Sequence, residues 1–79
     1  MVRVIPAQIV FDMHDRHGLP FDAAFAVLRA RKSVCSLRDL EAICVARGWN
    51  KERAESRIRD AWNDVYPTDR DAFVRWANG

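Results

Sequence analysis

Apolar residues recur every three or four positions in five separate stretches of this chain, and this spacing constrains the fold more than any other feature. A spacing of i, i+3, i+4, i+7 places side chains on one face of an α-helix. The alternation typical of strands is confined to brief pieces, with extended structure fitting residues 2–5 or 33–35. The pattern predicts helices over residues 6–17, 20–32, 37–47, 51–65 and 69–77.

Residues that favour helix ends stand between these stretches. Gly18 and Gly48 are placed to take the left-handed conformation that closes a helix. Ser36, with Asp39 three residues later, and Asn50 are placed as N-caps, because their side chains can accept hydrogen bonds from the first turn of a helix. We therefore predict short connections between the helices.

The 79 residues are enough for one domain, and a chain of this size buries only about 60% of its unfolded surface. We predict an all-α fold over residues 1–79, a compact single-domain bundle of four to five short helices with a helix-turn-helix-like pair at about 37–65. Homodimerisation would enlarge its small core. No apolar run approaches the roughly 18 residues of a membrane span, and a signal-peptide pattern is missing. We expect a cytoplasmic protein with no membrane partner.

Two groups of residues are candidates for chemistry, and neither has the required pattern. Asp12, His14, Asp15 and His17 lie together, but histidines near a helix end also interact favourably with its dipole. The spacings His14-x2-His17 and Cys35-x8-Cys44 differ from those of structural zinc sites. The phosphate-binding glycine motifs are missing. We expect no enzyme, no catalytic residue, no cofactor and no metal.

The two cysteines are expected to be reduced, since the pattern is not that of a disulfide scaffold. Cys44 falls on the apolar face of a predicted helix, where a thiol packs as a small hydrophobe. Cys35 falls in a predicted connection, so we expect it to be the more exposed of the two.

Positive charge is concentrated in the middle of the chain. The formal net charge is only +2, but residues 29–59 hold nine cations against four acids, a net charge of +5. Arginine favours planar, bidentate contacts to phosphate or carboxylate. We predict a regulatory protein that binds nucleic acid, DNA or RNA, through a basic surface made by Arg29, Arg31, Lys32, Lys51, Arg53, Arg57 and Arg59.

The helix pair at 37–65 supports this prediction in part. Helix-turn-helix units carry a Gly in a tight turn, which Gly48 would supply, and a recognition helix. The alternative is an ordinary solvated face, because Glu55 can pair with Arg59, and Arg57 with Asp60, within one helix.

A short resemblance points the same way. Residues 15–18, 24–25, 28–29 and 37–39 resemble the middle of the ANTAR domain, a three-helix RNA-binding module of antiterminators. The resemblance covers about residues 15–45, and it departs at Phe11, where that family has a small residue. The connection at 30–36 is also shorter than in that family, and the helices predicted beyond residue 50 have no counterpart in it. The resemblance therefore assigns neither the family nor an individual residue, and it adds slightly to the prediction of nucleic-acid binding.

The alternative function is a small protein-binding regulator or inhibitor, of the kind that phages and mobile elements encode, docking on a host protein. Its candidate contacts are Arg47 and Trp49, because tryptophan and arginine are enriched at interface hot spots. Trp49 also follows Gly48 closely enough to act as a hydrophobic cap on the preceding helix.

Overall fold

The structure, a computed structural model, describes residues 3–66 of the chain and contains four helices and two short strands. This confirms the all-α bundle. The fifth predicted helix, at 69–77, lies outside the described residues. The elements are β1 (Arg3–Val4), α1 (Ala7–Asp15), α2 (Phe21–Ala30), β2 (Ser33–Val34), α3 (Leu37–Ala46) and α4 (Lys51–Val65).

Local sequence determines where the helices begin and end. The side chains of Ser36 and Asn50 accept hydrogen bonds from the third residues of α3 and α4, as predicted. Gly18 and Gly48 have φ of +68° and +95°. After α3, the Trp49 N–H donates to the Cys44 carbonyl and the Gly48 N–H to that of residue 45, the two bonds of a Schellman motif.

The predicted helix ends differ from the observed ones by one or two residues at α1, α2 and α3, which is the ordinary uncertainty of helix termini. The end of α2 is unusual because Lys32 has a positive φ of 54°. This left-handed backbone conformation normally costs a residue other than glycine about 1–2 kcal/mol. Lys32 adopts the positive φ because the chain must turn from α2 directly into β2.

Both short extended pieces are present, and they pair with each other. β1 and β2 run parallel, with Arg3 opposite Ser33 and Val4 opposite Val34. The Ile5 N–H donates to the Val34 carbonyl at 2.8 Å. The pair fastens the start of the chain to the connection between α2 and α3.

Cys35 is fully buried, so the prediction of an exposed Cys35 was wrong. The strand pair explains the difference, because it draws the connection into the core where the sequence suggested a surface loop. Burial, with a smaller effect of the Asp39 charge, raises the Cys35 pKa to about 12. Burial and the Glu41 charge raise the pKa of Cys44 to about 11.

Aromatic side chains join α2 to α4 through the centre of the core. The rings of Phe25 and Trp62 lie 5.5 Å apart, nearly perpendicular, and Trp62 packs on Tyr66 at 4.3 Å. Phe25 contacts Trp62 in the last turn of α4, and Arg29, one turn further along α2, lies against Tyr66, directly after α4. The two helices therefore run side by side in the same direction. Each helix in the described part of the chain is too short or too polar to span a lipid bilayer.

Candidate nucleic-acid interface

All seven predicted nucleic-acid contacts are exposed, but they do not form one surface. Two of them are held by contacts inside the protein, and the others divide between the start of α4 and the end of α2. α4 has 15 residues and is about 22 Å long at 1.5 Å per residue. The two groups therefore lie towards opposite ends of the α2–α4 pair.

The first group lies on the N-terminal half of α4. Arg53 and Arg57 are one helical turn apart and line the same pocket of about 340 Å³. Ala54, Ile58 and Ala61 face the core, which turns the two arginines to the flank of the helix. Lys51 is exposed at the first helical position. Within residues 3–66, neither Arg53 nor Arg57 forms an ion pair.

The turn before α4 and the end of α1 complete this pocket, with lining residues His14, Gly48, Trp49 and Asn50. In the sequence, His14 was a candidate for catalysis and for zinc binding, but not for nucleic-acid binding. Its ring stacks on Phe21 at 4.3 Å, and its Nδ1 lies 2.8 Å from the Leu19 carbonyl oxygen. Since a carbonyl can only accept, Nδ1 carries the proton. The sequence did contain a signal for this inward position, because His14 continues the i, i+3, i+4, i+7 spacing of the buried residues Ala7, Val10 and Phe11.

Acidic residues border the pocket on its other side. Arg57 also lines an adjoining pocket of about 430 Å³ with Asp22, Asp60 and Asp64. The predicted pairing of Arg57 with Asp60 is not observed among the described ion pairs. Positive potential is therefore expected at the start of α4 and negative potential towards its end.

Arg59 and Arg29 are engaged within the protein. Arg59 pairs with Glu55 at 2.9 Å, as the alternative interpretation of the sequence predicted. Arg29 donates a hydrogen bond to the Val65 carbonyl at the end of α4, and its guanidinium lies 5.1 Å from the Tyr66 ring centre. This contact ties the end of α2 to the end of α4.

Arg31 and Lys32 lie at the opposite end of α2 from the Trp49 pocket. They line a different groove together with Arg3, which was not among the seven predicted contacts. The strand pair brings Arg3 to this position, because β1 lies beside β2 directly after Lys32. Local sequence pattern could not identify Arg3 as a neighbour of Arg31 and Lys32, because the two segments are about thirty residues apart in the chain.

The predicted protein contacts, Arg47 and Trp49, both contact other parts of the fold. Arg47 pairs with Asp15 at 3.5 Å and lies 5.2 Å from the Phe11 ring centre. Trp49 is half-buried and packs near Phe21 at 5.9 Å. Trp49 thus caps α3, while its remaining exposed part lines the pocket of Arg53 and Arg57.

Among residues 3–66, no group of three His, Cys, Asp or Glu side chains is arranged to hold a metal ion. Comparison of the chain with protein-family models, curated proteins and solved structures finds no match in any of the three.

Proposed function

We propose that the protein binds nucleic acid through the start of α4, with Arg53 and Arg57 contacting phosphates of the backbone. The observation that carries the proposal is that these two exposed arginines line the same pocket. Neither forms an ion pair within residues 3–66. Lys51 and the positive end of the α4 dipole add to the same electrostatic field.

The geometry supports backbone contact rather than sequence readout. Residues one turn apart on a helix have Cβ atoms about 5–6 Å from each other, so the two guanidinium groups can take neighbouring phosphates. Trp49 offers the edge of an aromatic surface beside them, which suits a base or sugar. Asp60 and Asp64 repel phosphates and limit the contact to the first half of α4.

The test is the salt dependence of binding to a short duplex DNA and to a single-stranded RNA, measured by fluorescence anisotropy. Each phosphate contact contributes about 0.9 to the slope of log K against log salt for duplex DNA, and about 0.7 for a single strand. The variant Arg53→Gln/Arg57→Gln should therefore reduce the magnitude of the slope by about 1.8 for the duplex DNA and by about 1.4 for the single-stranded RNA.

A matched control removes two charges elsewhere. Arg38→Gln/Arg59→Gln produces the same net charge, but Arg38 lies on α3 and Arg59 pairs with Glu55. Its slope should stay within a few tenths of that of the natural chain. Equal slopes for the two double variants would show that net charge, not the α4 surface, determines binding. Absence of binding at low salt would exclude the function.

A further inference from the structure

A second groove lies between α1 and α2, where the strand pair closes one end. Its volume is about 640 Å³. Apolar side chains from both helices make its floor, and cations make its rim. The lining includes Ile9, Met13, Val27 and Leu28 on the floor and Arg3, Arg31 and Lys32 on the rim.

The rim has a single sign of charge. None of the described lining residues is acidic, and the three cations make no ion pair within residues 3–66. Of the acids on α1, Asp15 pairs with Arg47, and Asp12, which accepts a hydrogen bond from Gln8, is charged but does not line the groove. The rim is therefore complementary to a ligand that carries several negative charges.

The floor is arranged as two helical rows. Ile9 and Met13 lie one turn apart on α1, and Val27 and Leu28 lie side by side on α2. Ile9 remains 48% exposed and Val27 38% exposed, although both are large aliphatic residues. A groove between two helices with aliphatic side chains on both sides accepts the apolar face of a third helix, through anchors at i, i+3 or i+4 and i+7.

Nucleic acid and membrane fit this groove less well. The described floor is aliphatic, so it offers no aromatic surface on which a base could stack. A membrane-binding surface projects its apolar side chains into the lipid, whereas these side chains line a concavity. We propose that the groove binds an acidic amphipathic helix of a partner protein, with its apolar face on the floor and its carboxylates on the rim.

The test uses a labelled synthetic peptide with leucines at i, i+3, i+4 and i+7 and glutamates on the other positions. It should bind the full chain saturably in the micromolar range, measured by anisotropy. A peptide of the same composition in scrambled order, and one with lysines replacing the glutamates, should not bind. Arg31→Gln/Lys32→Gln and Ile9→Gln should each weaken binding about fivefold. Because all three residues are exposed, these variants retain the core.

The control variant Arg38→Gln/Arg59→Gln should bind the peptide as the natural chain does. Arg53→Gln/Arg57→Gln should also bind it normally, which separates this proposal from the nucleic-acid site. Absence of saturable binding, or equal binding by the groove variants, would overturn the proposal. Tighter binding to phosphatidylserine vesicles than to the peptide would also overturn it. A dimer, seen in light scattering, that dissociates in the variant Ile9→Gln would overturn it too, since a second copy of the chain would then occupy the groove.

Discussion

Replacing Arg29 by glutamine should destabilise the fold and leave nucleic-acid binding intact. The Val65 carbonyl is among the last carbonyls of α4, which lack a partner within the helix. A hydrogen bond from a charged donor is worth about 1.5–3 kcal/mol, which we reduce to about 1 kcal/mol because Arg29 is exposed. Its cation–π contact with Tyr66 adds about 0.5–1 kcal/mol.

The expected loss is therefore about 1.5–2 kcal/mol of unfolding free energy. In a domain of this size that corresponds to a fall in Tm of roughly 6–16 °C. Chemical and thermal unfolding followed by circular dichroism measure it. Arg31→Gln is the matched control, because Arg31 lies two residues away and is also exposed, and it should change stability by less than about 0.5 kcal/mol.

Two results would refute this reasoning. If Arg29→Gln and Arg31→Gln have the same stability, the contact between the ends of α2 and α4 contributes nothing. If Arg29→Gln lowers the salt slope of nucleic-acid binding as much as a substitution on α4 does, Arg29 is a phosphate contact, as its position in the basic segment of the sequence first indicated.

Four further predictions concern particular features of the structure. Lys32→Gly should stabilise the fold by about 0.5–1 kcal/mol in denaturant titrations, because glycine accepts the positive φ of this position without strain; a loss of stability would contradict it. Asp60→Asn/Asp64→Asn should tighten nucleic-acid binding about two- to threefold at low salt, since it removes negative charge beside Arg57; unchanged affinity would place the bound strand elsewhere. Cys35 and Cys44 should resist alkylation by iodoacetamide near neutral pH until the chain is unfolded, because burial raises both pKa values. The unfolded thiols ionise above their ordinary pKa of 9.0, whereas in the folded chain Cys44 stays protonated up to about pH 11 and Cys35 up to about pH 12. The free energy of unfolding should therefore fall as the pH rises from about 9 through these values; a denaturation midpoint that does not change with pH would contradict the burial of the thiols.

Local pattern was sufficient to predict the four helices within residues 3–66. Ser36 and Asn50 cap the helices they precede, and the predicted range of α4 is the observed one, because caps and apolar periodicity act over a few neighbouring residues. The burial of Cys35 was not predictable in this way. It depends on pairing between β1 and β2, which are thirty residues apart and only two residues long each.

The candidate site was predictable in residue type but not in arrangement. Charge counting selected seven cations, and it could not show that Arg29 reaches Val65 or that Arg59 pairs with Glu55. The first contact depends on how α2 packs on α4. The second was recognisable from its i, i+4 spacing, and its formation depends on the rotamers of both side chains.

The most direct test of the proposed function is to follow backbone and arginine side-chain NMR signals of the full chain while nucleic acid is added at low salt. We predict that the largest shifts occur at Arg53 and Arg57, with Trp49 and Asn50 beside them, and that Arg29 and Arg59 change little. Shifts centred on Arg3, Arg31 and Lys32, or spread evenly over all exposed arginines, would contradict it.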